Sequence, residues 1–299
     1  LYETTVRLTQ RSHMSSLVLI LIKGAIALNV ALVVAAALVY LERRISAWMQ
    51  YRIGPNRVGP FGLLQPLADV LKLYTKEDIV PYNASKPFHR IAPIISIAVA
   101  LSVLCVIAPA SYLLLDDGTK LFIAVAPNVN VGLLFYLALS SIGVYGIVLA
   151  GWSSNNKYSL LGGLRSSAQM ISYELAMGLA AVAAVMVSGS LDMNQIIASQ
   201  SGGRWNLWFQ PLGFLIFLVA SFAETNRAPF DLPEAEPELV GGYHTEYSGM
   251  KFGLFYLAEY ANMFTASAVM TTLYLGGYDI PFLPTLLGLQ EGTLPRVLF

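Results

Sequence analysis

Charge is scarce in this chain. Only 12% of its 299 residues are charged, where a soluble domain carries about a quarter. The 18 basic and 18 acidic residues balance to zero, so nothing in the bulk charge attracts nucleic acid. A single cysteine, Cys105, excludes a disulfide framework within the chain. It also excludes an iron–sulfur cluster held by this chain alone, which needs about four thiolates. The three histidines, His13, His89 and His244, fall outside the apolar runs, so the in-helix axial pairs of a membrane haem protein are missing. No phosphate-cradling loop, dinucleotide fingerprint, metal-ligand spacing or nucleophile elbow is present. There is no internal repeat to suggest a transporter of duplicated halves. The first apolar block is too long for a signal-peptide core and lacks a cleavage site.

What is present is apolar. Hydrophobic residues make up 56% of the chain and mean hydropathy is +0.61. They come in blocks near the ~20 residues that a helix needs to cross a ~30 Å hydrocarbon core. Spans are expected near 17–41, 91–115, 131–151, 166–190, 209–226 and 252–275. The fold expected is an all-α, polytopic transmembrane bundle forming a single membrane domain over 1–299. The fifth span is short, tilted or partly interfacial. A last apolar stretch, Phe282 to Leu289, is too short to cross and is flanked or broken by Pro281 and Pro284. Leu1 to Ser16 is polar and mixed.

The segment 42–90 carries Arg43, Arg44, Arg52, Arg57, Lys72, Lys76, Lys86 and Arg90, which places it on the cytoplasmic or matrix side and the N-terminus on the other. Gly54, Pro55, Asn56, Gly59 and Pro60 are turn chemistry, since glycine reaches positive φ and proline fixes its own. A chain so stiffened either places Arg52 and Arg57 deliberately or is a surface loop with retained positive charge. From Phe61 to Lys76, the residues Gln65, Asp69, Lys72 and Lys76 share one stripe of a helix among leucines. This helix is too short and charged to span and is expected at the interface, either as an anchor or with Asp69 and Lys72 lining a cavity against the bundle.

Two acids fall inside expected spans. Glu174 lies about two turns into the fourth and Glu259 about two turns into the sixth. A charge at mid-bilayer costs roughly 2.5–3.5 kcal/mol on insertion scales. They either reach to the interface or belong to a proton or ion path, where burial lifts a carboxyl towards neutrality. Glu42 closes the first span beside Arg43 and Arg44, as an interfacial ion pair or as part of a site.

The acidic segment 224–251 opens with ETNRAPFDLPEAEPELVGG, from Glu224 to Gly242. It holds Glu224, Asp231, Glu234, Glu236 and Glu238 against a single Arg227. Positive-inside bias alone would not produce this. Pro229, Pro233 and Pro237 prevent a continuous helix, so a folded-back loop is expected that gathers its carboxylates and couples their titration. The alternatives are a solvated acidic loop and a docking surface for a basic partner.

Three stretches carry a resemblance. WMQYRIGPNRVGPFGLLQPLADVLKLYTKED from Trp48 to Asp78, preceded by Glu42-Arg43-Arg44, is one. GWSSNNKYSLLGGLRSSAQMISYE from Gly151 to Glu174 and AETNRAPFDLPEAEPELVGGYHTEYSGMKF from Ala223 to Phe252 are the others. Together they resemble the family of the quinone-site membrane subunit of respiratory complex I. In bacteria this is the H-type membrane subunit of NADH:quinone oxidoreductases, equivalent to mitochondrial NADH dehydrogenase subunit 1. The resemblance spans nearly the whole chain.

The resemblance implies that the chain is a subunit of a proton-pumping enzyme, holding no redox centre itself. Its cytosolic loops would floor a quinone cavity completed by partner subunits, one of which carries the terminal iron–sulfur cluster; FMN and further clusters would sit elsewhere in the assembly. Glu224, Glu234, Glu236 and Glu238, with Asp231 in the same motif, look like the acidic path leading from the quinone site. Glu174 and Glu259 look like its membrane-embedded continuation. Glu42, Arg43, Arg52, Arg57, Asp69, Lys72 and Arg227 look like the surroundings of the quinone. The family has eight spans, the last two flanking a further basic loop, where six are legible here, so arginines of that loop are not assigned. The alanine-rich spans point to a bacterial cytoplasmic membrane, with the mitochondrial inner membrane as the alternative. Competing readings are the equivalent subunit of a hydrogenase-type or ferredoxin- or plastoquinone-linked complex, and a stand-alone ion transporter.

Overall fold

A computed structural model describes the backbone of residues 2–107, 112–114, 120–122 and 129–278, with side chains over 18–107 and 129–278. Helices dominate. A long first helix, α1 (Tyr2–Met49), is followed by a turn-rich segment and the short α2 (Gln65–Thr75). Next come α3 (Lys86–Val103), α4 (Gly132–Ser153) and α5 (Lys157–Ser188). The short α6 (Met193–Ser199) and α7 (Asn206–Phe209) lead into α8 (Pro211–Glu224), then α9 (Glu236–Leu239) and α10 (Gly249–Tyr274). One small departure from helix is an antiparallel ribbon of β1 (Tyr112–Leu114) and β2 (Lys120–Phe122), with Leu113 opposite Leu121.

Each of the six expected spans contains a helix, but their lengths and apolarity differ from expectation. Among the described residues four helices are long and apolar enough to cross a membrane: α1, α3, α4 and α5. A fifth is a bent unit, Ser201–Phe209 with Pro211–Glu224, angled by 76°. Pro211 accounts for the break, since it lacks the N–H that a continuous helix needs there. The sixth, α10, has 26 residues, about 39 Å at ~1.5 Å per residue. Lys251, Glu259, Asn262, Thr265, Thr271 and Thr272 dilute its apolar character. That is tolerable because α10 is central: Phe255, Ala258, Tyr260, Ala261, Thr265, Val269, Leu273 and Tyr274 are all buried.

Two boundaries also differ. The helix expected from residue 91 begins at Lys86, so His89 lies inside α3 and not in a loop. It is fully buried and stacked on Tyr247 with ring centroids 4.0 Å apart. The same helix ends at Val103, well short of 115; Pro109 in the sequence disfavours helix at the residue before it. The stretch Phe282 to Leu289 and the side chain of His13 fall outside the described residues.

The core is built by close approach. Ala180, Ala181 and Ala184 of α5 and Ala220 of α8 pack with Phe217, Met177, Leu133, Val269 and Leu273. Small residues let helix backbones draw together where lipid supplies no hydrophobic drive. Tyr274 donates to the Ala180 carbonyl at 2.9 Å, and Gln210 Nε2 to the Ala183 carbonyl at 2.9 Å. Outside the core, large apolar side chains such as Val33, Leu175, Leu179 and Met186 are exposed, as a lipid-facing surface requires. α1 packs on α10 and α2.

Candidate functional site

The site begins where α8 ends. After Glu224 the chain turns at Asn226, whose φ is +48°, a left-handed conformation that asparagine tolerates better than most residues. Asn226 Nδ2 donates to Ser166 Oγ at 3.0 Å. Gln169 of α5 donates through Nε2 to the Ala223 carbonyl (3.0 Å), to Asn226 Oδ1 (3.1 Å) and to the Phe230 carbonyl (2.8 Å). The first turn of the acidic loop is thus pinned to α5. Further on, Gly162 of α5 meets Gly242 backbone to backbone: a Cβ built on Gly162 would lie 2.5 Å from the Gly242 Cα.

That pinning fixes Arg227. Its Nη1 donates to Glu42 Oε1 and Oε2 at 3.1 and 3.2 Å, and its Nε forms an ion pair with Glu259 Oε1 at 2.9 Å. The guanidinium lies 4.6 Å from the Tyr260 ring centroid, and Tyr260 donates to Glu42 Oε2 at 2.7 Å. Burial alone would weaken the hold of Arg227 on its proton, but Glu259, Tyr260 and Glu42 raise its pKa above the ordinary value. Two carboxylates therefore share one guanidinium, and the cluster keeps an excess negative charge when both are ionised. Glu259 is 17% exposed and Arg227 21%, so this charge is poorly screened.

Three cavities adjoin the cluster. The first, about 330 Å³, lies between α1, α2 and α10 and is lined by Ala36, Arg43, Asp69, Lys72, Tyr256 and Tyr260, among others. Arg43 donates to Asp69 across it. A second, about 400 Å³, is lined by Glu42, Arg43, Arg52 and the Ile53–Pro55 turn. The third is narrow, about 50 Å³, and runs inside the bundle past Glu259, Asn262, Thr265, Glu224, Ser140 and Tyr136. At ~10–15 Å³ per water it has room for a few. Glu224 Oε2 is buried there without a hydrogen-bond partner, which is the condition under which a carboxylate calls for water or a proton.

The acidic loop folds back but divides its acids. Glu224 turns inward. Glu234 is half-buried, and burial, opposed by Arg227 and aided by Asp231, pushes its carboxyl up to about 7. Asp231 and Glu236 are exposed, and Glu238 pairs at the surface with Arg165 at 2.6 Å. Glu174 accepts from Ser140 Oγ at 3.2 Å and from Ser141 Oγ. Arg57 is exposed on the loop before α2. Burial lowers His244 to about 4, so it is neutral near pH 7. Sequence reasoning missed Tyr260, Gln169, Asn226 and the Ser140–Ser141 pair. The doublet of hydroxyls in an otherwise apolar span was a usable signal. Tyr260 gave none, because its partner Glu42 lies 218 residues away.

The fold and the site define a multi-pass helical membrane protein that holds ionisable side chains within its bundle, beside a cluster in which two carboxylates share one arginine. Comparison with known proteins narrows the class. The family model described as NADH dehydrogenase matches residues 22–297, and the chain belongs to that family. It is 56% identical over 264 residues to NADH-quinone oxidoreductase subunit 8 of Rhodothermus marinus, covering 87% of this chain and 74% of that one. The H 1 subunit of NADH-quinone oxidoreductase from Cytophaga hutchinsonii is 53% identical, covering 89% and 77%. The H 2 subunit from Geobacter sulfurreducens is 51% identical, covering 93% and 83%.

Proposed function

We propose that this chain is the quinone-site membrane subunit of a proton-pumping NADH:quinone oxidoreductase in a bacterial cytoplasmic membrane, and that it couples quinone reduction to proton movement through its carboxylates. The observation that carries the reading is the shared guanidinium: Arg227 holds Glu42 on the side of the two wide cavities and Glu259 on the side of the narrow one. Quinone enters from the lipid through the cavity between α1, α2 and α10, whose mixed lining of Val39, Val70, Leu257 and tyrosines suits an apolar tail and a polar head. Partner subunits supply the electrons, from NADH through FMN and iron–sulfur clusters they hold, and close the quinone site against the Arg52 and Arg57 loop.

Two-electron reduction places negative charge on the quinone oxygens before protons arrive. A unit charge appearing about 10 Å away at an effective dielectric near 20 is worth roughly 1.7 kcal/mol, a little over one pKa unit. That is enough to change the occupancy of a carboxyl already near neutrality, such as Glu234. The change passes through Arg227, whose guanidinium holds both Glu42 and Glu259: a charge appearing on the cavity side alters how far it offsets Glu259. Protons move on through the narrow cavity by way of Glu224 to Glu174.

The test is Glu224→Gln in the assembled complex reconstituted into vesicles. Expected is normal assembly with proton pumping cut at least tenfold. Full pumping with full quinone turnover would overturn the reading.

A further inference from the structure

Glu224 and Glu259 are the carboxylates among the described residues that line the narrow cavity; Glu174 is not in its lining, yet the cavity reaches Ser140. Ser140 Oγ, in that lining, reaches both the Leu137 carbonyl at 2.9 Å and Glu174 Oε1 at 3.2 Å, so its single hydroxyl proton can sit on either. Its neighbour Ser141 reaches the same carbonyl at 3.1 Å and the same Glu174 oxygen, but Ser141 is exposed, as Ile142 also is. Successive helix residues lie about 100° apart, so adjacent serines differ in their surroundings. Glu174, on α5, therefore faces two hydroxyls at the seam between α4 and α5, one from a residue lining the cavity and one from an exposed residue. Neither serine is there for helix propensity, since a hydroxyl in a span competes for backbone carbonyls and gains no apolar burial. One turn before Ser140, Tyr136 closes the cavity wall; its hydroxyl rests on the Met177 sulfur at 3.8 Å, a weak acceptor.

We propose that Ser140 and Ser141 are a paired hydroxyl relay that carries a proton across the α4–α5 seam, from the cavity to the outer face of this subunit, through Glu174. The inference rests on the proton-path reading above and deepens it by assigning the step that carboxylates leave open. A hydrated proton in the cavity gives its proton to Ser140 Oγ as the original hydroxyl proton passes to Glu174 Oε1; one O–H bond forms as each breaks, and the serine ends as a neutral alcohol. Ser141 then turns its hydroxyl outward. Glu174 returns its proton to Ser141 Oγ while the Ser141 proton passes to a water or a partner-subunit base at the outer face, and the carboxylate is restored. Tyr136 keeps the inner hydroxyl from being bypassed, because with its own hydroxyl parked on sulfur it offers Glu174 no competing donor.

The test uses the whole complex in vesicles with Ser140→Ala, Ser140→Thr, Ser140→Val and Ser141→Ala. Ser140→Ala should lower protons pumped per quinone reduced about tenfold and change the solvent isotope effect on pumping, with electron transfer in the uncoupled complex near normal. Ser140→Thr should recover most of that loss, since it keeps the hydroxyl despite adding bulk; a merely packing role predicts the opposite order. Ser141→Ala should block at the outer step with a similar loss. Should Ser140→Ala fail to assemble, Ser140→Val, which matches threonine in shape without its hydroxyl, must show the same loss. Unimpaired pumping in Ser140→Ala or Ser140→Val, alongside pumping abolished in Glu174→Gln, overturns the relay and leaves the path intact. Unimpaired pumping in Glu174→Gln overturns the path itself.

Discussion

At the scale of single residues the site turns on what one arginine can do that a lysine does not. The guanidinium gives Glu42 its Nη1, which reaches both carboxylate oxygens, and places Nε in an ion pair with Glu259, where an ammonium offers a single point of charge. Arg227→Lys keeps the charge but serves one carboxylate at a time, leaving either the half-exposed Glu42 or the buried Glu259 unpaired. Losing a buried partner costs about 3–5 kcal/mol, so this variant should assemble poorly or lose at least tenfold in coupled turnover, measured against complex content; full activity would show that the sharing is dispensable. Glu234 makes a pH-dependent counterpart. Its folded value near 7 stands above the ordinary 4.5, so the folded loop binds a proton more tightly than an unfolded one. The stabilisation this gives is fully present below about pH 4.5 and is lost as pH rises through 7. Proteolytic nicking of the loop around Glu234 should therefore quicken between pH 5 and 8 in the wild type and become flat with pH in Glu234→Gln. An unchanged pH dependence in that variant would assign the effect elsewhere. Glu174 and Glu259 stood out in the sequence because a carboxylate in an apolar run is costly and needs a reason, and Glu224 because it opens a proline-broken acidic segment. Tyr260 was not, since a tyrosine in a span reads equally well as interface or core.

At the scale of elements, the amphipathic stripe from Gln65 to Lys76 was enough to place α2, but it left an anchor and a cavity wall equally open, and it is the packing against α1 and α10 that puts Asp69 and Lys72 in a cavity lining. The three prolines were enough to forbid a continuous helix after Glu224. What they could not give was how the acids divide, because that depends on where the loop touches α5. The touch is the Gly162–Gly242 contact, where Gly242 also has φ +66° and a Cβ there would meet the Pro233 carbonyl at 2.4 Å. Gly162→Ala must push two backbones apart. Overpacking of this kind costs typically about 1–3 kcal/mol, and here it falls on the loop that carries Glu234 and Arg227. Expected is a complex that assembles at reduced yield, with faster hydrogen exchange across the segment from Pro233 to Tyr243. Wild-type exchange in that segment would mean the contact is slack. The 76° bend at Pro211 was only half legible: the proline marks a break, but its angle is set by Gln210 gripping the Ala183 carbonyl in α5.

At the scale of the whole molecule, the described chain has its polar chemistry on one tract and its apolar exposure elsewhere. Among the described helices long and apolar enough to cross a membrane, α1 is the least covered by the rest of the bundle, and its inner face makes one wall of the 330 Å³ cavity opposite α2 and α10. A passage for an apolar tail needs such a wall to be low, and Ala35 and Ala36 keep it low. Ala36→Trp would fill the cavity without touching the Glu42–Arg227–Glu259 cluster. If quinone enters here, the obstruction falls on the tail and not on the reduction step. The KM for long-tailed quinones should rise roughly tenfold, equivalent to about 1.4 kcal/mol, while a quinone with a short tail is affected much less and kcat changes little for either. The comparison of tail lengths decides the matter: an equal rise for both would indicate a distorted site, and no rise for either would place the entrance away from α1, so that this cavity holds lipid instead.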